Sequence, residues 1–271
     1  MIIAIDTGGT KTLIARFDRN GHKTVLTRFA TPKDFPEYAD ALRLALANTN
    51  LTPIDIDAVV VAMPGTVEYG QLVRMGNLPW QNVDVVSEIQ QLLGNEVPVF
   101  VENDARLGAL GEVRPRQDMA RRSIYLTVST GINGGLVVDG QLSRELTSSE
   151  LGHIQLDYDG QMQRWEDFAS GRAILAAYGK QASEIDDELI WREVAKRLSR
   201  GFSVLLPILR PDIVIIGGGV GTHFAKFSKY LNEQLTEILP EYYRCPIIEA
   251  THPEEAVLYG CYYYAVDALA G

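Results

Sequence analysis

A small set of acids and glycine turns in this chain has the make-up of a polyphosphate site. Asp6-Thr7-Gly8-Gly9-Thr10-Lys11 stops a short apolar run, Ile2-Ile3-Ala4-Ile5. Backbone N–H groups in a glycine turn can converge on an oxyanion, because no side chain blocks the approach. This turn adds hydroxyls and the cation of Lys11. Asp6 stands at the C-terminal edge of the strand, from where it could hold Mg²⁺ through water. A second turn of similar composition, Thr130-Gly131-Ile132-Asn133-Gly134-Gly135, follows the apolar run at 124–128. Two such turns facing each other across a cleft would grip one polyphosphate. Either turn alone could equally be an ordinary hairpin turn. A third, Gly217-Gly218-Gly219-Val220-Gly221, lies between the apolar run at 213–216 and a helical pattern. It suits close backbone approach to a nucleotide, or is a plain tight turn.

Two rival nucleotide motifs fail. A P-loop requires G-x-x-x-x-G-K-[ST] and then a helix. Gly8-Gly9-Thr10-Lys11-Thr12 has the wrong spacing and runs into a strand. The dinucleotide fingerprint started at Gly217 needs glycine at position 222, which is Thr222.

Asp104 follows Glu102-Asn103 at the end of an apolar run and just before a helical pattern beginning near Ala105. A carboxylate there can cap the helix. It can also point into the crevice where open α/β sheets bind ligands. Spacing alone leaves both readings open.

The elements that must position these groups alternate. Strands are expected at residues 1–5, 12–17, 25–29, 58–62, 97–101, 124–128, 136–138 and 213–216. Helical spacing joins Tyr38, Leu42, Ala45 and Leu46, and again Val85, Ile89, Leu92 and Leu93. A long helix is expected over 187–209, with Trp191, Val194, Ala195, Leu198, Phe202 and Leu205 on one side, and a last helix over 255–268. Strand, Thr/Gly turn, strand occurs in both halves, which reads as a degenerate internal duplication. Alternating strands and helices give an α/β protein.

Composition narrows the classes. The chain has 271 residues, a formal net charge of −10 and a pI near 4.9. That length suggests one large domain or two compact ones. The acidic balance would repel nucleic-acid phosphates, so no nucleic-acid partner is expected. No apolar run reaches the roughly 18 residues of a membrane span, so no membrane partner is expected. The N-terminal stretch lacks the pattern of an export signal. Cys245 and Cys261 form no metal-type pair and read as buried thiols of a reducing compartment, so a cytoplasmic location is expected. His22, His223 and His252 read as surface residues. Trp80 and Trp165 could line a ligand pocket or pack in a core.

At this point the chain resembles the ROK family of repressors, uncharacterised reading frames and sugar kinases, within the actin-like ATPase superfamily. The resemblance runs from Ile3 to about Ala265. It rests on ordered motifs: Asp6-Thr7-Gly8-Gly9-Thr10-Lys11, Met63-Pro64-Gly65, Asn77-Leu78-Pro79-Trp80, Glu102-Asn103-Asp104-Ala105, Thr130-Gly131-Ile132-Asn133-Gly134-Gly135, Glu150-Leu151-Gly152-His153, Glu166 ahead of Ala169-Ser170-Gly171, and Gly217-Gly218-Gly219.

The resemblance implies a two-lobed, ribonuclease H-like fold with duplicated sheet-and-helix domains and the active site in the cleft between them. The expected division is 1–105, completed by a helix at about 255–271, against 106–254. The implied activity is ATP-dependent phosphorylation of a hexose or hexose derivative, glucokinase-like and at the 6-hydroxyl, with ATP and Mg²⁺ as cofactors. Asp104 would be the catalytic base. Asn103, Glu150, His153 and Glu166 would contact the sugar, with Gly65 and Asn77 lining its pocket. Gly8, Gly9, Thr10, Lys11, Thr130, Gly131, Asn133, Gly217, Gly218 and Gly219 would hold the nucleotide, with Asp6 on the metal. A homodimer is implied by likeness alone.

One departure stands out. Many members carry a zinc-binding cysteine cluster after the Glu-x-Gly-His motif; this chain has Tyr158-Asp159-Gly160-Gln161-Met162-Gln163-Arg164-Trp165, with no cysteine. Thiolate makes such sites tight, so no zinc is expected and His153 is left to the sugar. The family's repressors carry a helix-turn-helix domain ahead of the first glycine turn. Asp6 is the sixth residue here, so a repressor is not expected. A non-catalytic sugar-binding or regulatory protein is the alternative.

Overall fold

The computed structural model describes residues 1–49, 51–76, 78–116, 120–252 and 255–271. The chain divides into two compact units. Unit 1 is Met1–Arg114, Arg144–Ser149 and Glu255–Gly271; unit 2 is Pro115–Ser143 and Glu150–Glu254.

Unit 1 opens with β1 (Ile2–Thr7), β2 (Lys11–Phe17) and β3 (Lys23–Ala30), then α1 (Phe35–Ala47), β4 (Ala58–Met63), the small strands β5 (Gly65–Glu68), β6 (Gln71–Met75) and β7 (Gln81–Val83), α2 (Val85–Leu93), β8 (Val99–Asn103) and α3 (Asp104–Val113). The main sheet has the order β3-β2-β1-β4-β8. β1 pairs antiparallel with β2 and parallel with β4.

Residues alternate across that sheet, as strand geometry requires. Ile3, Ile5, Ile14, Val59 and Val61 face Tyr38, Leu42 and Leu46 of α1 and Val85, Ile89 and Leu93 of α2. Ile2, Ala4, Ala15, Phe17, Ala58, Val60 and Ala62 face Leu107 of α3 and Leu258, Cys261 and Ala265 of the C-terminal helix (Ala256–Ala270). Two glycines let those helices touch. A Cβ on Gly260 would stand 1.8 Å from the Leu107 carbonyl oxygen, and one on Gly111 1.8 Å from that of Ala256. This packing keeps α3 with unit 1, whereas the sequence reading divides the chain after residue 105.

Unit 1 also includes the segment Arg144–Ser149, distant in sequence. Arg106 Nη1 donates to the Leu146 carbonyl at 2.8 Å, and Ser148 Oγ donates to the Val67 carbonyl at 3.3 Å.

Unit 2 contains β9 (Arg122–Val128), β10 (Ile132–Val138), β11 (Gln141–Leu142), the hairpin β12 (Gln155–Tyr158) and β13 (Gln161–Arg164), α4 (Trp165–Ala169), α5 (Gly171–Tyr178), α6 (Glu188–Leu209), β14 (Ile213–Gly217), α7 (Gly218–Gly221), α8 (Phe224–Ile238) and β15 (Ile247–Glu249). Its main sheet has the order β11-β10-β9-β14-β15, with β9 antiparallel to β10 and parallel to β14. That repeats the order and sense of unit 1 strand for strand, so the internal duplication expected from the two Thr/Gly turns is a duplication of sheet topology. No described helix is long and apolar enough to cross a membrane.

Candidate active site

In unit 1, the hairpin register Asp6↔Leu13 and Thr7↔Thr12 sets the first glycine turn at the tip of β1 and β2. The Gly8 N–H is spent inside the turn, on the Lys11 carbonyl at 2.9 Å. Gly9 and Thr10 stand at the tip, and Lys11 is exposed beyond them.

Asp104 begins α3. The cap of that helix is Asn103, whose Oδ1 accepts from the Arg106 N–H at 3.1 Å. The other end of the Asn103 amide donates to the Gly65 carbonyl at 2.8 Å. Gly65 has φ 147° and a Cβ there would stand 2.2 Å from the Arg74 carbonyl oxygen, so the position requires glycine. Asn103 is therefore fixed on both sides, and Asp104 does not carry the cap. Asp104 Oδ1 accepts from the Ala105 N–H at 2.8 Å. Asn77, a sugar-pocket residue in the sequence reading, lies outside the described residues.

The charge of Asp104 reaches Asp6. Burial first, and then the negative charge of Asp104, raise the Asp6 carboxyl to about 7, against the opposing pull of Lys11. Two neighbouring carboxylates, one starved of solvation, suit a divalent cation, which would restore the charged form of Asp6. Among the described residues no group of three or more His, Cys, Asp or Glu side chains could hold a metal. The donor set fits Mg²⁺, which keeps several waters and binds through one or two carboxylates and substrate phosphates.

A buried ion pair backs this end of the sheet. Glu102 Oε1 accepts from Arg106 Nε at 3.0 Å, and Oε2 from Nη2 at 3.3 Å. Their side chains are 6% and 4% exposed. Glu102 Oε1 also accepts from the Asn103 N–H at 2.8 Å. The residues flanking Asp104 are thus locked before any ligand arrives.

Unit 2 gathers the remaining expected residues into two adjoining groups. The first is the pair of glycine turns. Gly218 has φ 80°, and a Cβ there would lie 2.6 Å from the Val128 carbonyl oxygen; one on Gly217 would lie 2.5 Å from Tyr125 Oη. The end of β14 therefore rides directly on the end of β9, at Thr127 and Val128. Gly219 is the open member, with Ser129 Oγ at 3.9 Å from its notional Cβ.

The second group is Glu150, His153 and Glu166. Glu150 Oε2 accepts from Asn133 Nδ2 at 2.9 Å, and Asn133 Oδ1 accepts from the N–H groups of Gly134 at 2.8 Å and Leu151 at 3.4 Å. The sequence reading places Asn133 on the nucleotide; in the structure its side-chain amide donates to Glu150. Glu166 Oε1 lies 3.4 Å from His153 Nε2 and 3.2 Å from Arg164 Nη1, while its Oε2 accepts from the Ile132 N–H at 3.3 Å. Glu166 thus connects the glycine turn to His153. The closeness explains Gly131, whose notional Cβ would be 2.6 Å from Glu166 Oε2.

Arg164 is the residue that sequence reasoning missed. Asp167 holds it bidentately, at 2.9 and 2.7 Å, and raises its pKa through that hydrogen bonding. Its Nη1 lies 3.3 Å from His153 Nε2. The signal available was the i,i+3 spacing of Arg164 and Asp167, too common to single out. Both tryptophans are core residues: Trp80 donates to the Lys33 carbonyl at 2.8 Å and packs on Tyr38, and Trp165 is fully buried against Gly201.

The family model of the ROK family matches residues 2–268. An N-acetylmannosamine kinase of Vibrio vulnificus is 31% identical over 267 residues, taking in 86% of this chain and 88% of that protein. A xylose repressor of Caldicellulosiruptor bescii is 27% identical over 264 residues, 82% of this chain; the chain spans 65% of the repressor's own length. Among solved structures, a ROK family glucokinase from Streptomyces griseus in complex with glucose and AMPPNP matches with a TM-score of 0.81 at 25% identity, over 98% of this chain and 99% of that one. The fold is the duplicated α/β fold of the actin-like ATPases.

Proposed function

The chain belongs to the ROK family, and on that premise we propose that it transfers the γ-phosphoryl group of ATP to a hydroxyl of a hexose or hexose derivative, glucokinase-like and at the 6-position. Asp104 takes the proton. The observation that carries this reading is the pairing of Asp104 with Asp6, one acid at a helix start beside Asn103 and the other beside a glycine turn.

Phosphoryl transfer needs alignment and neutralisation of charge more than covalent chemistry. A sugar hydroxyl is a very weak acid, so Asp104 accepts its proton as the new O–P bond forms. Asn103, fixed by Arg106 and Gly65, retains one N–H and spare acceptor capacity for sugar hydroxyls. Glu150 and His153 supply further hydrogen bonds, with Asn133, Arg164 and Glu166 orienting them. Family resemblance assigns Gly9, Thr10, Lys11, Thr130, Gly131 and Gly217 to Gly219 to the nucleotide. Asp6 would hold Mg²⁺ through water, and the ion would offset the charge of the triphosphate.

Supporting the reading are the N-acetylmannosamine kinase of Vibrio vulnificus and the Streptomyces griseus glucokinase in complex with glucose and AMPPNP. The xylose repressor favours a second reading, a sugar-binding regulator without catalysis. Coupled ADP release over a panel of hexoses, hexosamines and N-acetylhexosamines separates the two. A kinase releases ADP only with an accepted sugar present; a regulator binds sugar and releases none.

A further inference from the structure

We propose that Tyr158 is a positioning residue for sugar binding: it fastens the far end of the β12–β13 hairpin to α6, and so holds His153, Arg164 and Glu166 in register. The inference rests on the sugar-kinase reading, since it assigns those three residues to the sugar end of unit 2.

The hairpin lies between two of the groups in question. His153 precedes it and Glu166 follows it. Its register runs Gln155↔Arg164, Leu156↔Gln163, Asp157↔Met162 and Tyr158↔Gln161. Asp159 and Gly160, at φ 52° and 74°, form the two-residue turn. A two-stranded hairpin standing alone is marginal in water, so its geometry must be set by what it is tied to.

The near end is tied by Trp165, whose N–H donates to the Ile154 carbonyl at 2.8 Å and whose indole donates to the Arg197 carbonyl at 3.2 Å. The far end is exposed at Asp157, Asp159, Gly160, Gln161 and Met162. Tyr158 turns back from it. Its ring stacks on Phe168 with centroids 4.3 Å apart and planes 1° apart. Its hydroxyl donates to Glu193 Oε1 at 2.9 Å. The Arg197 guanidinium sits 5.6 Å from the ring centroid, and donates to the Phe168 carbonyl at 3.2 Å. Burial, and then the Glu193 hydrogen bond, raise the phenol to about 12, so it stays a donor across the working pH range.

Asp167 holds the Arg164 guanidinium, and the Tyr158 contacts hold the hairpin whose second strand carries it. Arg164 is the β13 residue paired with Gln155, and its guanidinium touches both His153 and Glu166. A hairpin free to swing about its Trp165 base carries Arg164 with it. The stretch contains no cysteine, and an aromatic stack, a guanidinium and the half-buried Glu193 carboxylate do the fastening.

The test compares Tyr158→Ala, Tyr158→Phe and Arg197→Gln with the full-length protein in steady-state assays varying sugar and ATP separately. Tyr158→Ala is expected to raise the KM for sugar about tenfold or more, with the KM for ATP and kcat within about twofold. Tyr158→Phe keeps the stack and the guanidinium contact and is expected to stay within about threefold of the parent. Arg197→Gln must repeat the sugar defect in part, which covers a Tyr158→Ala chain that fails to fold. The ¹H–¹⁵N signal of the His153 ring gives a readout without turnover: it should move in Tyr158→Ala and hold in Tyr158→Phe. An unchanged sugar KM, or equal rises for sugar and ATP, overturns the proposal, as does an unmoved His153 signal. A parent protein that phosphorylates no sugar sinks the kinase reading instead, and the His153 signal then decides the positioning role alone.

Discussion

Asp6 and Asp104 are electrostatically linked: the charge of Asp104 adds to burial in lifting the Asp6 carboxyl to about 7. The two acids come from different elements, β1 and α3, and come within electrostatic reach because β1, β4 and β8 are neighbours in one sheet. Once charged, a buried carboxylate beside a second one costs stability. The arrangement resembles the raised and paired acids found where a cation or a proton is handled.

The linkage gives Asp6 a signature in pH. A carboxyl with a folded pKa above its unfolded value of 3.8 stabilises the fold fully only below that lower value, and the contribution is lost as pH rises through about 7. Thermal melts without divalent cation should therefore show stability falling between those limits. Mg²⁺ should restore part of the loss at the upper end, and Asp6→Asn should flatten the slope. A cation-independent profile identical in Asp6→Asn would contradict the assignment.

Arg106 should matter to stability more than its distance from any ligand suggests. It is 4% exposed, is paired with Glu102, and holds the segment Arg144–Ser149 through Leu146. Arg106→Met leaves Glu102 buried without its partner. Such a break costs about 3–5 kcal/mol, measurable by urea unfolding. Adding Glu102→Gln should recover part of the loss.

Gly260→Ala puts a methyl against the Leu107 carbonyl. The C-terminal helix must then move off α3, the helix that begins with Asp104. Overpacking of this kind costs about 1–3 kcal/mol. A lowered melting temperature is expected, with a fall in kcat as α3 shifts; an unaltered melt would mean that the helix crossing is looser than the structure has it.

His153→Ala removes one hydrogen-bonding group from the Glu166 and Arg164 network. Loss of a hydrogen bond to a charged partner is worth about 1.5–3 kcal/mol. The KM for sugar should rise by about ten- to a hundredfold, with the KM for ATP unmoved. Isothermal titration with sugar alone checks the same loss without turnover.

Much of this was legible in the chain. The apolar runs that became β1, β4, β9 and β14 are buried on both faces and need no partner to be recognised. The glycine turns are legible from composition, and the structure shows Gly217 and Gly218 standing where a Cβ collides with backbone or ring. Other features depend on partners far along the chain. Nothing local says that Arg144–Ser149 packs with unit 1, because its anchors are Arg106 and Val67. The sheet of β5, β6 and β7 was missed because its strands are short and half exposed. Asn133 reads as part of a phosphate turn until Glu150 is beside it. The tie between Tyr158 and Arg197 joins a hairpin to a helix, a pairing that no periodicity announces.

The central claim is that Asp104 accepts the proton of the sugar hydroxyl. The direct measurement is sugar-dependent ADP release by the parent and Asp104→Asn proteins, at saturating ATP, Mg²⁺ and the best sugar of the panel, with sugar affinity measured alongside. The account predicts a fall in kcat of about 10²–10⁴-fold, as expected for loss of a general base, with sugar binding largely kept. Turnover by Asp104→Asn within a few-fold of the parent would contradict it.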